Sequence, residues 1–182
     1  MNRIMILGPS GTGKTTLARK LGKVCHIKEL HLDQVYWLSD WKSMSKKAFD
    51  YTMKEYFRTH QRWVIDGNYT NNNHFYDRLK LADTIIILNY NTSDALRGVI
   101  QRKDKYKHTH RSDMAEGCNE ELDQAFLQYI AFFNKRKSKF LDAIVHKYKY
   151  KDRIHIFHNR EELNHWLLSL EEEKKCSSIL LK

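Results

Sequence analysis

The residues Gly8-Pro-Ser-Gly-Thr-Gly-Lys14-Thr15 lie directly between an apolar run, Ile4-Met-Ile-Leu7, and a helix-like segment, Leu17-Ala-Arg-Lys-Leu21. No other stretch constrains the fold as strongly, because a glycine-rich turn between a buried strand and a helix fixes a βα unit and a parallel sheet around it. Its spacing is G-x-x-x-x-G-K-[ST]. Glycines let backbone N–H groups converge on phosphate oxygens, and the N-terminus of the following helix adds partial positive charge. Gly8, Pro9, Ser10, Gly11, Thr12, Gly13, Lys14, Thr15 and Thr16 therefore read as a loop for the phosphates of ATP. Lys14 is expected to reach the β- and γ-phosphates, and the Thr15 hydroxyl to ligate Mg2+.

The rest of the chain alternates strand and helix signals, which predicts an α/β fold with a parallel sheet covered on both faces. Strands are expected at Asn2–Leu7, Ile27–Leu32, Arg62–Asp66, Asp83–Tyr90 and Ile154–Phe157. Ile85-Ile-Ile-Leu88 is the most strand-like run and is expected at the centre. Helices are expected at Thr15–Val24, from an N-cap at Ser45 through Ala48, Phe49, Met53, Tyr56 and Phe57, at Ser93–Lys103 and at Glu161–Leu170. Phe126, Tyr129, Ile130, Phe133, Phe140, Leu141, Ile144 and Val145 recur at helical spacing and predict a long amphipathic helix over Leu122–Tyr148. The result is one three-layer domain over residues 1–170, with five parallel strands flanked by helices. Residues 171–182 form a tail expected to extend the last helix and fray.

In open parallel sheets ligands bind beyond the carboxyl ends of the strands, so the polar residues at those ends carry the site. Asp33 follows the second strand and is read as a general base for an acceptor hydroxyl or as a carboxylate that positions Mg2+. Asp66-Gly67 follows the third strand, with Asp66 expected to reach Mg2+ and Gly67 to allow close backbone approach. Asn68 and Tyr69 are read as acceptor contacts, and Trp37, with Trp41, as a wall of the acceptor pocket. Phosphoryl transfer needs guanidinium forks over the migrating group. Arg97, Arg102 and Arg111 are the candidates, the last inside a basic lid over about residues 103–121.

Lys and Arg number 32 against 22 Asp and Glu, a formal charge of +10. That balance suits anionic partners, nucleotides first, and leaves non-specific nucleic-acid contact as an alternative. No helix-turn-helix, zinc finger or basic zipper is visible. His108 with His110, and His155 with His158, lack zinc-site spacing. Cys25, Cys118 and Cys176 form no C-x-x-C pair and fit a reducing compartment. With no signal peptide and no apolar run of membrane-spanning length, a cytoplasmic location is expected.

Taken with the phosphate loop, HLDQVYW at His31–Trp37, IDGNY at Ile65–Tyr69, RLKLADTIIIL at Arg78–Leu88 and RSDMAEGC at Arg111–Cys118 resemble the bacterial P-loop proteins named DNA topology modulation proteins. The resemblance extends to about Leu170. It implies a P-loop kinase fold of the adenylate-kinase and shikimate-kinase type, with a lid and no zinc. By motif, Asp33 falls where related kinases keep an acceptor- or magnesium-binding carboxylate, and Asp66 where adenylate kinases have the Asp of D-G-F-P-R. Asn68-Tyr69 replace the Phe-Pro-Arg of that motif, and its missing Arg argues against AMP as the acceptor. With the site residues, the resemblance leaves three readings: ATP-dependent phosphoryl transfer to a small acceptor (a nucleoside, nucleotide or hydroxylated metabolite), nucleotide-gated DNA binding or topology modulation, and an NTP-binding regulator whose hydrolysis is slow.

Overall fold

The computed structural model describes residues 1–107, 109, 111–115, 117–118, 122–133, 144 and 151–179. Five parallel strands, β1 (Arg3–Leu7), β2 (Glu29–His31), β3 (Trp63–Asp66), β4 (Thr84–Leu88) and β5 (Ile154–Phe157), form one sheet in the order β2-β3-β1-β4-β5. The helices are α1 (Lys14–Cys25), α2 (Leu32–Tyr36), α3 (Lys46–Thr59), α4 (Asn73–Leu81), α5 (Thr92–Lys105), α6 (Gln124–Ala131) and α7 (Arg160–Ile179). Ser45 caps α3 as expected, its side chain accepting the Ala48 amide.

Alternation along β1 builds both core layers, since successive side chains of a strand point to opposite faces. Ile4 and Ile6 pack with Leu17 and Leu21 of α1 and Leu163 and Leu167 of α7. Met5 and Leu7 pack with Phe49 and Met53 of α3 and Phe75 and Leu79 of α4. A smaller cluster joins Ala95 and Val99 of α5 to Ile130 of α6.

Several expectations change. The middle strand is β1, hydrogen-bonded to β3 on one side and β4 on the other, and not β4. The apolar run of β4 reflects two covered faces, which every interior strand of a three-layer fold shares. The second strand ends at His31, because its partner β3 ends at the paired Asp66, and the chain turns at once into α2. Asp33 thus lies in the first turn of a helix and not at a strand end. Helix α4 was not predicted at all. Of the helix expected over Leu122–Tyr148, α6 covers the first part and Phe133 and Ile144 are buried; Phe140, Leu141, Val145 and Tyr148 lie outside the described residues. The last helix runs past Leu170 to Ile179, the extension expected of the tail.

Candidate active site

The chain leaves β1 into the phosphate loop at the point where its neighbours diverge to the two sides of the sheet, the place where open α/β sheets bind ligands. Gly13 caps α1 with a left-handed backbone (φ 91°). Inside the loop the Thr12 hydroxyl and the Lys14 ammonium both donate to the Pro9 carbonyl, at 2.9 Å each. The loop is gripped from outside by two contacts. The Asn68 side chain accepts the Gly8 amide at 3.1 Å and donates to the Gly8 carbonyl at 2.8 Å. On the opposite side α5 presents Gly98, where a Cβ would stand 2.0 Å from the Gly11 carbonyl oxygen, so the helix approaches only because Gly98 has no side chain.

Asp66 is buried at the end of β3 and bonded through both oxygens. The Thr15 hydroxyl donates to Oδ2 at 2.8 Å, and His31 Nδ1 stands 2.6 Å from Oδ1. Burial works to lower the His31 pKa, but the hydrogen bond and charge of Asp66 outweigh it and raise the group above its ordinary value. Among the described residues no cluster of three His, Cys, Asp or Glu could hold a metal by itself; His108 and His110 lie outside them. Mg2+ does not need one, since it is ordinarily held by one or two carboxylates together with nucleotide phosphates and waters. The Thr15 hydroxyl and the Asp66 carboxylate, both hard oxygen donors facing the loop, fit that pattern.

Two cavities meet at this point. One, of about 340 Å³, is bordered by Gly11, Gly13, Thr15, Thr16, Asp66 and Arg160 among others; the second, of about 620 Å³, opens beside Trp37, Trp41, Asn68, Tyr69 and Tyr129. Ser10, Lys14, Asp33, Gly67, Arg102 and Arg111 border both. Burial pulls the Lys14 pKa down, while the Asp66 and Asp33 carboxylates act to hold it up. The Tyr69 hydroxyl donates to Asp33 Oδ1 at 2.7 Å, and burial, followed by the Asp33 charge, pushes its pKa up.

The three candidate arginines separate. Arg102 and Arg111 border both cavities. Arg97 borders neither; it is exposed on α5 beside Asp94, at 3.7 Å. Five residues along a helix turn the side chain through about 500°, which puts Arg97 and Arg102 on different faces. Arg111 is buried and paired with Asp113, which in turn faces Arg19 of α1 at 3.3 Å. Burial works to raise the Asp113 carboxyl, but the Arg111 guanidinium outweighs it and holds it below the ordinary carboxylate range.

The described part of the lid is a solvated charge run only at its start, where Lys103, Asp104, Lys105 and Lys107 are exposed. Arg111, Asp113, Met114 and Cys118 are all buried, and Cys118 bridges to the chain before α3 by donating to the Leu38 carbonyl and accepting the Trp41 amide. Residues 108, 110, 116 and 119–121 of the lid read at 103–121 lie outside the described residues.

Asn68 and Tyr69, read as acceptor contacts, do border the second cavity, and the Asn68 amide group joins Gly8 of the phosphate loop to the Tyr129 side chain. Tyr69 adopts a left-handed backbone (φ 39°) and packs on Tyr36 and Phe49. A Cβ at Gly67 would meet the Leu32 side chain at 2.8 Å, so its freedom serves packing against α2.

No protein-family model matches the chain, and no curated protein matches it. Solved structures do match. One is the shikimate kinase from Acinetobacter baumannii in complex with shikimate, at a TM-score of 0.57 and 16% identity over 96% of this chain and 95% of that one. Another is the shikimate kinase from Bacteroides thetaiotaomicron, at a TM-score of 0.53 and 16% identity over 99% and 98%. The chain has the P-loop kinase fold.

Within this P-loop kinase fold, three positions that support the site escaped sequence reasoning. His31 stands in the HLDQVYW run, whose local pattern assigns it no role. Arg78, fully buried on α4, donates to the carbonyls of Gly67 and Asn68 at 2.8 and 2.7 Å. Burial lowers its pKa to about 9, against the charge of Asp66, and leaves it cationic at neutral pH. Gly98 was the third. The sequence offered no clear signal for Arg78, since His74 shares its buried face and breaks the apolar stripe that would mark it. No helix of the described residues is long and apolar enough to cross a membrane.

Proposed function

We propose that the protein is an ATP-dependent phosphotransferase that moves the γ-phosphoryl group of ATP to a hydroxyl of a small acceptor. The observation that carries this reading is the meeting of two cavities at Lys14, Asp33, Arg102 and Arg111. A binding protein for one nucleotide has no need of a second cavity that shares its cations.

The smaller cavity takes the triphosphate on the phosphate loop, and the larger takes the acceptor. The acceptor oxygen bonds to the γ-phosphorus while the bond from that phosphorus to the bridging oxygen of ADP breaks. ADP departs with the electron pair, and the hydroxyl proton passes to the Asp33 carboxylate. Lys14, Arg102 and Arg111 stabilise charge spread over the equatorial oxygens. Mg2+, held by Thr15 and Asp66, neutralises phosphate charge when bound.

The test is a screen of nucleosides, nucleotides and hydroxylated metabolites with ATP and Mg2+, read as ADP formation. At least one acceptor is expected to raise the rate above the acceptor-free level. A screen in which none does, with a chain that binds ATP, overturns the reading. The formal charge of +10 supports one other reading, nucleotide-gated DNA binding, which follows the DNA topology modulation resemblance. Duplex binding measured at several salt concentrations tests it, and absence of affinity at low salt removes it.

A further inference from the structure

The two cavities differ in chemistry as well as size. All the arginine and lysine that the larger cavity has among the described residues, Lys14, Arg102 and Arg111, it shares with the smaller one. Those cations stand at the junction, where the migrating phosphoryl group passes. Beyond the junction the larger cavity is bordered by five aromatic rings, Trp37, Trp41, Tyr69, Phe126 and Tyr129. The charged group that it alone contains among the described residues is a carboxylate, Asp123, whose Oδ1 accepts the Phe126 amide as the cap of α6. Among the described residues, an acceptor that carried a second anionic group would have to place it against aromatic faces and a carboxylate, since the cations bordering the cavity are those shared with the phosphate side. Desolvating an unpaired anion there is costly.

Four of the rings come from two segments of the chain. Trp37 and Trp41 belong to the segment after β2 and stand edge to face at 5.3 Å. Phe126 and Tyr129 belong to α6 and are stacked nearly parallel, 6.5 Å apart. Aromatic faces of this kind hold planar rings, and base-on-aromatic stacking is tolerant of which base is held. At the junction Asp33 accepts the Tyr69 hydroxyl at 2.7 Å, a polar pair that borders the same cavity as the rings and beside which a hydroxyl would lie.

We propose that the acceptor is an uncharged nucleoside-like molecule, a planar heterocycle bearing hydroxyls, and not a nucleoside monophosphate or a carboxylate-bearing polyol. This deepens the phosphotransferase reading and rests on it. The ring lies among Trp37, Trp41, Phe126 and Tyr129, and the hydroxyl that receives the phosphoryl group faces Asp33.

The experiment is calorimetric titration of the full chain, loaded with a non-hydrolysable ATP analogue, with adenosine, guanosine, cytidine and thymidine, and in parallel with their 5′-monophosphates and shikimate. At least one nucleoside is expected to bind about tenfold or more tightly than its monophosphate and than shikimate. Tyr129→Ala, at a half-exposed position that leaves the sheet core untouched, is expected to weaken that binding about tenfold with analogue affinity unchanged; Trp37→Ala provides a second variant. The proposal is overturned if a monophosphate or shikimate binds at least as tightly as every nucleoside, or if no nucleoside binds a chain that binds the analogue. A nucleoside that binds but is never phosphorylated by ATP with Mg2+ overturns the phosphotransferase reading and leaves the pocket's preference standing.

Discussion

The Thr15 hydroxyl meets the Asp66 carboxylate at 2.8 Å, which ties the first turn of α1 to the end of β3 across 51 residues of sequence. His31 holds the other oxygen of the same carboxylate. Outer partners of metal-binding carboxylates commonly change metal affinity 10- to 100-fold when removed. His31→Leu is therefore expected to weaken the Mg2+ dependence of nucleotide binding by about that factor while binding of nucleotide without Mg2+ stays near the wild-type level. Titration with Mg2+ at fixed nucleotide measures it, and an unchanged midpoint would remove His31 from this role.

His74 predicts a pH dependence of stability. It is buried edge-on to Phe49 at 4.5 Å, and among the described residues neither ring nitrogen has a hydrogen-bond partner. Burial, with the Arg78 charge adding to it and Asp50 opposing, lowers its pKa to about 4. The unfolded chain takes up this proton near pH 6.5, where the folded chain does not. The stability that His74 contributes is thus present above pH 6.5 and lost progressively as pH falls to about 4, by up to about 3 kcal/mol. His74→Phe should flatten that part of the stability profile, read as the urea midpoint at a series of pH values.

Arg78 supports the loop that carries Asn68. Arg78→Leu strips the Gly67 and Asn68 carbonyls of their buried donor, at a cost of about 2–5 kcal/mol for two unsatisfied groups. Arg78→Lys should recover little, because an ammonium cannot reproduce the planar fork. Denaturant unfolding of both variants provides the comparison.

Arg97 and Arg102 sit on the same helix and should behave oppositely. Arg97→Ala is expected to stay within about 0.5 kcal/mol of wild-type stability with an unchanged transfer rate, as an exposed ion pair implies. Arg102→Ala should lower kcat about 100-fold if its guanidinium lies over the migrating phosphoryl group. Equal losses in both would refute the facing deduced for α5.

Gly98→Ala would drive a methyl group into the Gly11 carbonyl, so α5 or the phosphate loop must shift. Overpacking of this kind costs about 1–3 kcal/mol. Thermal unfolding and ATP affinity should both fall, whereas a change at an uncrowded helical glycine would raise stability.

The five strands and most helices were legible because each is a local pattern: β4 carries the apolar run Ile85–Leu88, and α3 pairs a serine cap with residues at helical spacing. Helix α4 was hidden by its own core face. Its buried positions are His74, Phe75, Arg78 and Leu79, and two polar residues among four break the apolar stripe that periodicity relies on. Arg97 shows the converse, since its separation from Arg102 around the helix was present in the spacing, but the face that α5 turns to the ligand was not.

The sequence by itself determined the donor half of the site. A phosphate loop is contiguous, so Gly8 to Thr16 carry their chemistry wherever a strand and a helix flank them. Tertiary structure decided the rest. Asn68 is bonded to Gly8, Asp66 to Thr15 and His31, and the aromatic cavity joins Trp37 to Tyr129, through pairs 35 to 92 residues apart. Such contacts are set by strand order and by the packing of α2, α5 and α6 on the sheet, and no local spacing encodes them.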